Sequence, residues 1–126
     1  MRVLVAFEEN YRAYGDAIVR AIRNTYPRLE VLAVADLREL EAEVALFDTH
    51  LVITRRSSHP TPLASRRGRL SRVKLSVDPN EPSLLCINGQ VRESLNPSLE
   101  ELLDVVEGTE SMLVGAPGRE TGEGEC

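Results

Sequence analysis

A chain of 126 residues with 42% hydrophobic residues, 28% charged residues and a formal net charge of −5 suits one domain with a single core. No apolar run approaches the length of a bilayer span, and two cysteines are too few for a disulfide framework or a Cys-rich zinc site. Charge is segregated: residues 51–76 hold seven Arg or Lys and no acid, while residues 77–126 hold eleven acids and two Arg. That pattern argues against nucleic acid as a partner of the whole surface and leaves room for a local anion site.

In chain order, Val3 to Phe7 is a continuous apolar run closed by Glu8 and Glu9, as a central parallel strand would be. No separate apolar segment with a cleavage site precedes it, so reduced thiols and a cytoplasmic location are expected. A helix is expected from about Tyr11 to Tyr26, with Asn10 as its N-cap and Pro27 as its stop. Leu29 to Ala35 follows as a second strand. Asp36 then caps a second helix, with Glu39 as capping-box partner and Leu37, Leu40, Val44 and Phe47 as the buried stripe. His50 to Thr54 is a third short strand. This β-α-β-α-β order predicts right-handed crossovers and a parallel sheet, with ligands received at the carboxyl ends of the strands.

Beyond Thr54 the pattern changes. Arg55 to Leu70 holds two Pro, one Gly and five Arg without an apolar period, which predicts a long loop. Arg72 to Val77 alternates basic and apolar residues, as a strand with one solvent face would. Ser83 to Ile87 and Gln90 to Glu93 flank Asn88-Gly89, a type I′ hairpin signal. Asn96-Pro97 should start a helix over Ser98 to Glu107, ended by Gly108, with Leu99, Leu102, Leu103 and Val106 facing inward. The expected organisation is therefore a domain over 1–108 and a mobile acidic tail over 109–126.

Glu8 and Glu9 after the first strand, Tyr11-Arg12 at the helix start and Leu51-Val52-Ile53 in the third strand resemble a response-regulator receiver domain of the CheY-like superfamily. The resemblance covers about the first 55 residues. It implies a three-layer α/β fold with a mainly parallel sheet in flavodoxin/CheY-like order. The second half is degenerate, a β-hairpin plus a C-terminal helix. The family's phosphoacceptor aspartate ends strand three, where this chain has Thr54-Arg55-Arg56, and Asp48 lies at the other end of that strand. Its lysine after strand five has no counterpart near Asn88-Gly89, and only Ser76 loosely matches its hydroxyl after strand four. A receiver needs a carboxylate nucleophile and acids that hold Mg²⁺, so aspartyl phosphorylation is not expected. Arg55 is placed instead to pair with Glu8 or Glu9.

The expectation is a non-phosphorylated, non-enzymatic regulatory or protein-interaction module without cofactor, metal site or membrane partner, working through a protein partner or its own oligomer. Its crevice residues are Glu8, Glu9, Thr54, Arg55 and Arg56. The alternative is a binder of a small anionic ligand or nucleotide that uses the Arg-rich stretch 55–72, with Arg66, Arg67, Arg69 and Arg72 as the anion-binding candidates. His50 and His59 lack further ligands at metal spacing, and no P-loop, G-x-G-x-x-G or G-x-S-x-G motif is present.

Overall fold

The computed structural model describes residues 1–56, 71–87 and 90–114. Among the described residues, six strands form one mixed sheet in the order β2-β1-β3-β4-β5-β6. They are β1 (Arg2–Ala6), β2 (Glu30–Val34), β3 (Leu51–Arg55), β4 (Ser71–Leu75), β5 (Ser83–Ile87) and β6 (Gln90–Ser94). The helices are α1 (Arg12–Thr25), α2 (Leu40–Phe47) and α3 (Leu99–Val114). The pairs β1/β2, β1/β3 and β3/β4 are parallel, whereas β4/β5 and β5/β6 are antiparallel. The sheet is thus only partly parallel. Residues 76–82 are too few to carry a crossover, so β5 must return antiparallel to β4.

β1 is buried on both faces, which explains its unbroken apolar run. Val3, Val5 and Phe7 pack against Ile18, Val19 and Ile22 of α1 and against Leu102, Val105 and Val106 of α3. Leu4 and Ala6 point the other way, to Leu40 and Val44 of α2. Each buried Leu, Ile or Val contributes about 1.5–3 kcal/mol relative to exposure, so this strand anchors both layers. Gly15 lets α1 approach β1 closely: a Cβ there would sit 3.4 Å from Phe7 Cβ and Cδ1.

Several local expectations are corrected. Glu9–Tyr11 forms a 3-10 turn, so α1 begins after it, and Asn10 is inside that turn rather than capping the helix. Asp36 accepts from the Arg38 backbone N–H at 3.0 Å and so caps the 3-10 turn Leu37–Glu39; Glu39 makes no capping box with it. The start of α3 is held by Ser98 instead of Asn96. Ser98 Oγ accepts from Glu101 N–H at 3.2 Å, while the Glu101 carboxylate accepts from Ser98 N–H at 3.3 Å.

The expected solvent face of the fourth strand is also absent, since Arg72 and Lys74 are 1% and 9% exposed. Gly108 does not end the last helix. α3 runs through it to Val114, and Thr109, expected in a tail, is 1% exposed with its hydroxyl donated to Val105 O at 2.9 Å. Gly108 packs toward Ile87 of β5, where a Cβ would meet Cδ1 at 3.4 Å. The domain boundary expected at residue 108 therefore falls inside a helix, and residues 115–126 of the expected tail lie outside the described residues. The hairpin pairing of β5 and β6 is as expected, with Asn88-Gly89 likewise outside the described residues. Cys86, 2% exposed in β5, is disulfide-bonded rather than a free thiol. No described helix is long and apolar enough to cross a membrane.

Candidate functional site at the β1/β3 strand ends

Because β1 and β3 are parallel neighbours, with Ala6 beside Thr54, their carboxyl ends bring Glu8 and Arg55 together across 47 residues of sequence. The contact is bidentate. Arg55 Nε donates to Glu8 Oε1 at 3.0 Å, and Nη2 donates to Oε2 at 2.7 Å. The two side chains keep 29% (Glu8) and 20% (Arg55) of their exposure, so water still reaches the pair from one side. Tyr11 covers part of it, with the Arg55 guanidinium 4.6 Å from its ring centroid. The Arg55 hydrogen bonds hold the Glu8 carboxyl below its ordinary range, and Glu8 in turn raises the Arg55 guanidinium.

The other expected crevice residues separate from this pair. Glu9 is exposed and lies 3.5 Å from Arg12, so the two adjacent acids do not converge on one ligand. Thr54 is fully buried, with Arg72 Nη2 at 3.5 Å from its hydroxyl. Arg56 turns toward the segment joining β4 and β5, where Nη1 donates to Pro82 O and Nε lies 3.7 Å from Glu81. In the same segment Ser83 Oγ accepts from Ser76 N–H at 2.8 Å.

Arg72 was expected among the surface anion contacts, and this is corrected: the residue is 1% exposed, and burial pushes the guanidinium pKa down to about 10. Arg66, Arg67 and Arg69 lie outside the described residues, as does His59. His50 is structural, its Nδ1 accepting from Arg2 N–H at 3.0 Å. Among the described residues no group of three His, Cys, Asp or Glu side chains could hold a metal ion.

Chemically, a carboxylate locked in a two-point guanidinium contact is ionised at neutral pH and weakly basic. To take a metal ion or a proton it would first have to give up Arg55. Comparison with protein-family models, curated proteins and solved structures returns no match. The functional reading therefore rests on this geometry. Sequence reasoning missed Tyr11 as the cover of the pair, because its spacing within the expected helix reads equally well as core. It also missed Glu81 and Pro82 as partners of Arg56, since nothing local marks a contact across 26 residues.

Proposed function

We propose that this chain is a receiver-like regulatory or protein-interaction module of flavodoxin/CheY-like order that works without phosphorylation and without catalysis. The observation that carries the reading is the bidentate Glu8–Arg55 pair under Tyr11. In a phosphorylated receiver this place holds a metal ion and a phosphoryl group on a carboxylate. Here a fixed internal cation occupies it, and the strand-three carboxylate is replaced by a buried hydroxyl, Thr54. A pair that neutralises itself keeps the strand ends in one arrangement without any ligand. The reading also draws support from how the described arginines are used. Arg55, Arg56 and Arg72 are all engaged or buried inside the domain, which leaves Arg66, Arg67 and Arg69 as the candidates within the stretch 55–72 for a small-anion or nucleotide site.

The test is incubation with acetyl phosphate and Mg²⁺ followed by intact-mass measurement. The expected result is an unchanged mass, and a hydroxylamine-labile gain of one phosphoryl group overturns the proposal.

A further inference from the structure

Cys86 is disulfide-bonded, and the sequence holds one other cysteine, Cys126. The topology makes a bond between them a contact across the sheet. Directly paired residues share a face, and the register Leu4↔Val52↔Arg72↔Cys86 puts Cys86 on the side of Leu4 and Val52, which pack with α2. α3 lies on the other side, where Leu102, Val105 and Val106 join Leu85, the chain neighbour of Cys86.

Both halves of the contact start from one end of the sheet. Glu110, in the last turns of α3, accepts from Arg28, just ahead of β2, so α3 leaves at the amino-terminal end of the parallel strands. Cys86 sits at that end too, because its partner Arg72 is the second residue of β4. The segment 115–126 reaches up to about 40 Å when extended, against about 10 Å between packed layers. Val91, opposite Cys86 in β6, is 38% exposed, so this face is not closed at the β6 edge. Charge matches as well: Glu120, Glu123 and Glu125 precede Cys126, while Arg72 and Lys74 lie on the face that Cys86 shares.

From this we infer that Cys86 and Cys126 form a redox clasp, which fastens the acidic segment after α3 to the α2 side of the sheet and releases it on reduction. In closure each thiol gives up a proton and the S–S bond forms. The two electrons go to a low-molecular-weight disulfide such as oxidised glutathione, which leaves as two thiols; a dithiol reductant runs the exchange backwards. The clasp holds the segment and not the fold, since both apolar clusters are assembled from residues up to Val106 and neither includes Cys86. The inference is independent of the interaction-module reading. An acyl phosphate would overturn that reading alone, and two free thiols the clasp alone.

The experiment is mass spectrometry of the full chain after equilibration with oxidised glutathione, with a circular dichroism spectrum before and after dithiothreitol. The expected mass is that of a monomer lacking two hydrogen atoms, inert to iodoacetamide in denaturant until dithiothreitol allows two alkyl groups to add. In a non-reducing tryptic digest, peptides 75–92 and 120–126 should leave as one linked pair that dithiothreitol separates. The folded spectrum should survive reduction, and Cys126→Ser should keep that spectrum and lose the linked pair. Two free thiols in the oxidised sample overturn the proposal, as does a disulfide between chains or a glutathione adduct on both cysteines. Loss of the folded spectrum on reduction or in Cys126→Ser overturns the switch, because the bond would then be holding up the fold.

Discussion

Thr109→Asp is expected to lower the melting temperature by about 10 °C or more, while Thr109→Val should change it by no more than a few degrees. Thr109 is 1% exposed, and its hydroxyl is satisfied within its own helix by Val105 O, so it fills an apolar position with a self-contained hydrogen bond. Valine keeps the shape and removes donor and hydroxyl together, leaving Val105 O with its helical partner. Aspartate brings a charge into the layer formed by Leu102, Val105 and Val106 of α3 against the sheet. An unpaired buried charge or polar group costs about 2–3 kcal/mol or more, and in a domain near 100 residues each kcal/mol moves the midpoint by roughly 4–8 °C. Thermal unfolding followed by circular dichroism reads the difference. Equal midpoints for the two variants would mean that the chain beyond Gly108 is solvated.

At the strand ends, Glu8→Ala is expected to cost more stability than Glu8→Ala combined with Arg55→Ala costs beyond Arg55→Ala alone. Removing Glu8 strands a guanidinium that is only 20% exposed, whereas removing both leaves no unmatched charge. For a half-buried two-point pair the coupling in a double-mutant cycle should be about 1–2 kcal/mol, above the 0.2–1 kcal/mol of an exposed pair. Its pH dependence has a definite sign. Arg55 lowers the Glu8 carboxyl in the folded chain, so the pair's contribution is complete above the unfolded value of about 4.3. It is lost as pH falls through the lower folded value. Urea midpoints should therefore drop less between pH 5 and pH 3 for Glu8→Gln than for the wild type. Parallel pH profiles for the two proteins would remove Glu8 from the acid limb.

What the sequence revealed, and what it concealed, follows the reach of each signal. The β1 run, the apolar stripe of α1 and the Asn88-Gly89 signal between β5 and β6 are local and strong, and the corresponding elements stand where they were expected. The Glu8–Arg55 pairing was also legible, because neighbouring parallel strands put their carboxyl ends at one edge. The burial of Arg72 and Lys74 was hidden, because an alternation of basic and apolar residues reads as a half-solvated strand whatever packs on that face in the folded chain. Gly108 misled for a different reason. A glycine after a periodic run is the commonest C-terminal signal, but Leu102, Val105, Val106 and Thr109 carry the buried spacing across it. The glycine instead serves the close approach of α3 to Ile87. Ser98-Leu99-Glu100-Glu101 is a capping box that outcompetes Asn96-Pro97, and its spacing was readable from the start.

At the β1/β3 strand ends Glu8 is neutralised by Arg55, from within the chain. The most direct measurement is the titration of the Glu8 side-chain carboxyl carbon by NMR, in the wild-type chain and in Arg55→Met. The Glu8 pKa should lie below the ordinary glutamate range in the wild type, unchanged by added Mg²⁺, and return to that range or above it in Arg55→Met. A wild-type Glu8 that titrates in the ordinary range, or one whose signal moves on addition of Mg²⁺, would contradict it.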